Sequence, residues 1–155
     1  MEFEYLIIFL PLVAAIISGL FGKFLGARNS EILTSLFVTI SSIFSFLIFY
    51  KVFNDGYINN LDIFTWINSG SFNVNWSIKI DALSSVMLVV VTLISSIVHI
   101  YSIGYMSHDP HKQRFMSYLS LFTFSMLMLV TSDNFLQLFF GWEGVGLCSY
   151  FLIGF

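Results

Sequence analysis

The chain has 155 residues, of which 57% are apolar and only 10% are charged, and its formal net charge is −3. Soluble domains carry about 25% charged residues, so this composition excludes an ordinary soluble globule and a disordered chain. Acidic residues outnumber Lys and Arg by 9 to 6, which excludes a basic nucleic-acid-binding surface and leaves an integral membrane protein as the class that fits.

Long apolar runs dominate the chain from end to end. Each run is close to the roughly 20 helical residues that cross a bilayer, and none alternates as a membrane barrel strand does. We therefore predict an all-α integral membrane protein with five transmembrane helices, over residues 5–22, 32–50, 82–106, 115–132 and 134–155. Because the last run ends at Phe155 without a polar flank, we expect residues 1–155 to be the N-terminal part of one transmembrane domain in a longer protein.

The connector between the second and third predicted helices, residues 51–81, is the one long polar segment of the sequence. Apolar and polar residues alternate from Phe72 to Asp81, which is the period of a half-buried strand, and residues 61–67 are a weaker strand candidate. The Asn-Ser-Gly-Ser string at 68–71 between them is typical of a turn. We therefore predict a small β-hairpin lying over one face of the membrane.

Basic residues in the loops set the predicted orientation, because cytoplasmic loops of membrane proteins are enriched in Lys and Arg. The first and third loops hold Lys23, Arg28, Lys112 and Arg114, whereas the longer second loop holds Lys51 and Lys79. The first and third loops are therefore predicted to be cytoplasmic, and the N-terminus and the hairpin are predicted to face outside.

Polar side chains form a stripe along the third predicted helix. They recur at helical spacing and therefore share one face: Thr92, Ser95, Ser96, His99 and Ser102. A stripe of this kind faces other helices or a water-filled cavity. His99 is a candidate proton relay, because imidazole titrates near neutral pH. The alternative is a neutral His that hydrogen-bonds Ser95 or a backbone carbonyl and only joins helices.

The remaining polar residues favour structural roles. Asp81 and Asp133 directly precede the third and fifth predicted helices, and for both we predict the role of an N-cap. Residues 107–114 include two His and one Asp, and we interpret them as a solvated turn rather than a metal site. The single cysteine, Cys148, excludes an internal disulfide. Because phosphate-binding and haem-attachment motifs are also absent, we expect neither a metal nor a cofactor in this chain.

Glu143 is the residue most strongly marked for a function. It lies about nine residues into the fifth predicted helix, near the middle of the bilayer, where an ionised acid costs roughly 3 kcal/mol unless it is paired or protonated. Because burial disfavours the charged form, we predict that this buried carboxyl takes up and releases protons under working conditions. The alternative is a protonated acid that only hydrogen-bonds a neighbouring helix.

Three glycines surround this acid: Gly141, Gly144 and Gly146. Inside a helix Gly costs about 1 kcal/mol relative to Ala, so three of them together indicate a requirement other than helix stability. One interpretation is the close approach of another helix. The other is a local break in helical bonding that admits water to Glu143.

Two sequence strings carry a resemblance to a known family. They are HIYSIGYM at 99–106 and GWEGVGLCSY at 141–150, with the Asp-Asn pair at 133–134 between them. On these strings the chain resembles chain 5 of respiratory complex I, the proton-translocating NADH–quinone oxidoreductase, which in bacteria is subunit L. The likeness covers the whole chain in helix order and hairpin position, and it is most specific over residues 80–155.

The resemblance implies an antiporter-like subunit of the membrane arm, which moves protons along buried charged residues. Glu143 matches the family's acid in the fifth helix, which pairs with a lysine of a later helix that these residues do not include. His99 matches a His of the third helix. The resemblance also implies other membrane-arm subunits and the lipid bilayer as partners. NADH, flavin, iron–sulfur clusters and quinone are then expected in partner subunits, with no redox centre in this chain.

Two alternative functions stay open at this point. One is a subunit of a multisubunit cation/proton antiporter. The Gly-Val-Gly string at 144–146 favours complex I over this alternative. The other is an inactive truncated remnant, in which Glu143 lacks its partner. The string at 147–150 resembles bacterial members more than animal mitochondrial ones, so the bacterial plasma membrane is favoured over the mitochondrial inner membrane.

Overall fold

The computed structural model describes residues 3–155, which form five helices and one two-stranded antiparallel sheet. The helices are α1 (Phe3–Leu25), α2 (Ala27–Asp55), α3 (Ala82–Tyr105), α4 (Lys112–Val130) and α5 (Phe135–Ile153). Strands β1 (Asn59–Ser69) and β2 (Phe72–Ile80) lie between α2 and α3. The predicted order of five helices with one hairpin in the second connector is therefore confirmed, with helix ends that differ from the predicted ones by a few residues.

Helix α4 is the central element of the bundle, because it contacts each of the other four helices. α1 also packs on α2, α2 packs on α3, and α5 packs chiefly against α4. The hydroxyls of α4 meet different neighbours: the Ser117 Oγ donates to the carbonyl of Ala15 in α1 at 2.7 Å, and the Ser125 Oγ lies 3.9 Å from the Cys148 Sγ in α5. Small polar side chains thus let α4 approach its neighbours closely.

Four of the described helices, α1, α2, α3 and α5, are long and apolar enough to cross a membrane. Helix α4 is as long as α5, with 19 residues. It begins with Lys-Gln-Arg and contains several Ser and Thr residues, which lower its mean hydropathy and are mostly buried. A helix surrounded by other helices presents little surface to lipid, so it tolerates these polar groups. The chain is a membrane protein with several apolar helices, and a crossing by α4 stays a prediction.

The hairpin packs its apolar face on the ends of the helices. β1 and β2 pair from Asn59↔Ile80 to Ser69↔Phe72, and the turn between them has Gly70 at φ 61°, a left-handed conformation that suits Gly. The alternation predicted for β2 is confirmed at Val74, Ile78 and Ile80, which are buried, whereas Phe72 beside the turn is exposed. Ile78 and Ile80 join side chains of α1 to α4 in one hydrophobic core.

The two predicted N-caps differ in outcome. Asp81 caps α3 as predicted: its Oδ1 accepts from the backbone N–H of Ser84 at 2.7 Å, and the Ser84 Oγ accepts from the backbone N–H of Asp81 at 2.8 Å. The prediction for Asp133 is wrong, because Asn134 caps α5 by accepting from the backbone N–H of Gln137 at 2.9 Å. Asp133 instead forms an ion pair with Lys79 at 3.3 Å.

Within residues 3–155, no group of three or more His, Cys, Asp or Glu side chains lies close enough together to hold a metal ion.

Candidate functional site

Glu143 lies midway along α5, as predicted, but on the face that is turned away from α4. The buried residues of α5 are Gln137, Gly141 and Cys148, which follow one face of the helix. Glu143 comes two residues after Gly141, which is about 200° of helical rotation and therefore the opposite face. Its side chain is exposed on the described bundle. The predicted burial of Glu143 is thus not met by residues 3–155, because α5 packs chiefly against α4 and its other face is left open.

The open face of α5 is apolar apart from this acid. Trp142 is 65% exposed, Leu147 53% and Tyr150 72%, so large side chains surround the carboxyl without covering it. Within the described part of the chain, Glu143 forms no hydrogen bond or ion pair. An ionised acid facing hydrocarbon at this depth costs roughly 3 kcal/mol or more. The arrangement therefore requires a polar partner or protonation of Glu143.

The glycines around Glu143 are explained by packing at two positions. A Cβ at Gly141 would lie 2.8 Å from the backbone N and Cα of Leu129 in α4, and a Cβ at Gly144 would lie 2.9 Å from the Ser125 Oγ. A Cβ at Gly146 would meet nothing within 4 Å. α5 is an uninterrupted helix from Phe135 to Ile153, so the local break that was the other interpretation is not found.

His99 is fully buried between helices. Its Nδ1 lies 2.8 Å from the backbone carbonyl of Ser95, and its Nε2 lies 3.0 Å from the Ser120 Oγ in α4. A carbonyl only accepts, so the Nδ1 carries the proton and the Nε2 of the neutral ring accepts from the Ser120 hydroxyl. The geometry therefore matches the interpretation of His99 as a neutral, hydrogen-bonded residue, and its role as a relay stays a prediction.

The rest of the polar stripe faces other helices, as predicted. The Thr92 Oγ1 lies 2.6 Å from the Ser45 Oγ in α2, and the Ser96 Oγ lies 2.9 Å from the Thr39 Oγ1 in the same helix. The Ser95 Oγ hydrogen-bonds the Thr123 Oγ1 in α4. The stripe therefore forms a polar layer that links α3 to α2 and α4 inside an otherwise apolar bundle.

The structure does not bring His99 and Glu143 together. His99 reaches α4 from α3, whereas Glu143 lies on the face of α5 turned away from α4. α4 thus stands between the two candidate residues.

Gln137 is a buried residue of this region that the sequence reasoning missed. It is 0% exposed, and its side-chain amide forms a double hydrogen bond to the backbone of Ser77 in β2. The Gln137 Oε1 accepts from the Ser77 N–H at 3.0 Å, and the Gln137 Nε2 donates to the Ser77 carbonyl at 2.7 Å. The amide takes the place of a neighbouring strand at the edge of β2. In the sequence, the only sign of a role for Gln137 was its position close to the predicted start of the fifth helix.

Two further contacts join the edge of β2 to the α4–α5 turn. The Lys79 N–H donates to the Thr131 carbonyl at 2.9 Å, and the Asn134 Nδ2 donates to the Asn75 carbonyl at 2.8 Å. Together with the Gln137–Ser77 pair they form what we call the hairpin clamp. Above it, the Trp76 ring packs edge-on against Phe140 of α5 with centroids 4.9 Å apart. The clamp therefore sets the position of α5 relative to the hairpin.

Replacing Gln137 by Leu should destabilise the protein by about 2 kcal/mol or more. Leu fills a similar volume but leaves the buried N–H and carbonyl of Ser77 without partners, and each such group costs about 1–3 kcal/mol. Thermal unfolding in detergent and the rate of proteolysis within residues 51–81 measure the effect. Asn73→Ala, at an exposed position of the same strand, is the matched control. Equal stability of the two variants would contradict a structural role for the clamp.

Glu4 is a second buried acid, at the opposite side of the hairpin. It is 3% exposed, and its Oε1 accepts from the Tyr57 hydroxyl at 2.6 Å and from the Asn59 Nδ2 at 3.3 Å. Burial, together with the hydrogen bond to Glu4 and its charge, raises the pKa of the Tyr57 hydroxyl above its ordinary value. These contacts attach the start of β1 to the start of α1.

Comparison with known proteins gives relatives along almost the whole chain. Residues 66–116 match the family model described as NADH-Ubiquinone oxidoreductase (complex I), chain 5 N-terminus. NADH-quinone oxidoreductase subunit L of Rickettsia conorii is 55% identical over 97% of this chain and 23% of the relative. NADH-ubiquinone oxidoreductase chain 5 of Arabidopsis thaliana is 57% identical over 97% of this chain and 22% of the relative. The chain of the same name in Phytophthora infestans is 54% identical over 96% of this chain and 22% of the relative. The chain thus spans less than a quarter of the length of these curated relatives.

Proposed function

The chain is a homologue of complex I chain 5 and subunit L over nearly its whole length, and from this premise we propose that it acts in the membrane arm of an NADH–quinone oxidoreductase. In this role it takes part in proton translocation coupled to NADH oxidation and quinone reduction. The carrying observation is identity above 50% to proteins of these names over 96–97% of the chain. The cation/proton antiporter has no comparable support among these relatives.

Glu143 is the proton-carrying group in this proposal. Its place midway along an apolar helix and the absence of a partner within residues 3–155 support the role, since an acid there must be neutralised by a proton or a cation. We propose that polar groups of another segment or subunit cover the open face of α5 and set when Glu143 is protonated. The resemblance points to a lysine as the partner.

His99 is the candidate relay on the other side of α4. Its Nε2 accepts from Ser120, and the adjacent Ser95 hydroxyl contacts Thr123. The imidazole and these hydroxyl groups therefore lie close to one another between α3 and α4. Groups that both donate and accept pass protons along such a line. The proposal is that His99 and these hydroxyls extend a proton path rather than only joining helices.

The partners in this proposal are other membrane-arm subunits and the lipid around them. NADH, flavin, iron–sulfur clusters and quinone bind in partner subunits. The relatives come from a bacterium, a plant and an oomycete, so they do not favour the bacterial plasma membrane over the mitochondrial inner membrane as the location.

Purification through an affinity tag on the full-length native protein tests the proposal. We expect NADH–quinone reductase activity to co-purify with the tagged protein, together with the flavin and iron–sulfur absorbance of partner subunits. An unrelated membrane protein with the same tag is the control. A tagged protein that purifies without redox activity and exchanges Na⁺ for protons in vesicles would overturn the proposal and support the antiporter.

A further inference from the structure

A cavity of about 510 Å³ opens at the end of the bundle that carries the α1–α2 and α3–α4 loops, the side predicted to be cytoplasmic. It lies between the last turns of α1 and the first turn of α4. The residues that define it are Ser18, Gly22, Lys23, His111, Gln113 and Arg114. The proposed function assigns no role to this cavity.

The cavity has cationic walls and no acidic lining residue. Within residues 3–155, neither Lys23 nor Arg114 forms an ion pair, whereas the nearby Lys112 is paired with the buried Glu31 at 3.5 Å. The Asp109 carboxylate is occupied by the backbone N–H of His111, which it accepts at 2.7 Å. No described carboxylate therefore pairs directly with Lys23 or Arg114, and both exposed side chains are available to an anion.

Arg114 is held in place by aromatic rings rather than by a carboxylate. Its guanidinium lies 5.6 Å from the ring centroid of Tyr118 and 5.5 Å from that of Phe155. Such stacking orients the planar group while leaving its N–H donors available to an anion. The first turn of α4 beside it has no side-chain cap, so its backbone N–H groups add to the positive potential.

We propose that this cavity binds the phosphate headgroup of an anionic phospholipid, with Lys23 and Arg114 as the charged contacts. A phosphate fits the donors, because arginine and lysine are the usual phosphate-binding side chains. A lipid is favoured over a free anion because the cavity lies at the end of a membrane-spanning helix. Ile16 and Leu20, which precede Lys23 by seven and three residues and therefore share its helical face, are 45% and 73% exposed and are placed to contact acyl chains. Basic pockets between membrane helices bind such headgroups.

Native mass spectrometry of the full-length protein, released from nanodiscs containing phosphatidylglycerol and phosphatidylcholine, tests the proposal. The wild type is expected to retain phosphatidylglycerol selectively. At about 1 kcal/mol for each basic residue, the double variant Lys23→Gln/Arg114→Gln is expected to retain it roughly thirtyfold less strongly. Arg114→Lys, which keeps the charge, is expected to preserve most of the binding.

Arg28→Gln is the matched control, since Arg28 is exposed at the same end of the bundle but does not line the cavity. If Arg28→Gln loses as much lipid as the double variant, general surface charge is responsible and the proposal is overturned. If inorganic phosphate displaces the lipid at equal concentration, the cavity is a site for a free anion, and the proposal of a lipid headgroup is likewise overturned. Thermal unfolding confirms that the variants are folded. The measured quantity is the amount of lipid retained, not NADH–quinone reductase activity. The lipid proposal can therefore fail while the proposed function holds, and the reverse.

Discussion

Replacement of Glu143 by Gln in the complete protein is expected to lower proton translocation at least tenfold while leaving assembly and quinone reduction near wild-type levels. Gln has the same size and polarity but neither takes up nor releases a proton, and removal of a group that transfers protons costs about 10²–10⁴-fold in rate. The structure supports normal folding of the variant, because Glu143 is exposed and forms no hydrogen bond or ion pair within residues 3–155. A loss of proton translocation with normal assembly would therefore reflect the missing proton-transfer group rather than misfolding.

Proton uptake by inverted membrane vesicles, recorded in parallel with quinone reduction, measures this effect. Glu143→Asp keeps the carboxyl on a shorter side chain and is expected to retain part of the proton uptake. If the Gln variant pumps as many protons per quinone as the wild type, Glu143 lies outside the proton path. If both pumping and assembly fail, Glu143 contributes to packing in the complete protein instead.

Replacement of Gly141 by Ala is expected to destabilise the protein by about 1–3 kcal/mol, the range typical of an added methyl group in a close-packed contact. The new Cβ would lie 2.8 Å from the backbone of Leu129, and a helix backbone does not move aside as a flexible side chain does. α4 and α5 would therefore have to shift apart at this contact. Because α5 packs chiefly against α4, few other contacts would compensate.

Gly146→Ala is the matched control on the same helix. Its Cβ would meet nothing within 4 Å, so Ala should be neutral or stabilising by up to about 1 kcal/mol through its higher helix propensity. Thermal unfolding of this 155-residue chain in detergent micelles compares the two variants. Equal melting temperatures would show that the α4–α5 contact is looser than the structure indicates.

Several features of the candidate site were predictable because they depend on one segment alone. The place of Glu143 midway along a helix follows from the length of the apolar run at 134–155, and the shared face of Thr92, Ser96 and His99 follows from their spacing. The Asp81 cap and the alternation in β2 are equally local. In each case the deciding interaction lies within a few residues of the pattern that signals it.

Other features were not predictable from local pattern. Asp133 and Asn134 are both good capping residues, and the choice of Asn134 as the cap goes together with its second hydrogen bond, to Asn75 in the hairpin. Gln137 resembles an ordinary polar residue until β2 places the Ser77 backbone beside it. The three glycines look alike in sequence, yet only Gly141 and Gly144 face α4.

By itself, the order of apolar and polar residues determined that this chain forms membrane-type helices with one hairpin, and it marked Glu143 and His99 for attention. Only the tertiary structure decided that α4 lies at the centre, that His99 reaches Ser120, and that Glu143 lies on the open face of α5. The physical reason is that hydropathy and periodicity describe which faces of a segment avoid water. Which neighbour covers each face depends on how segments distant in the chain pack against one another.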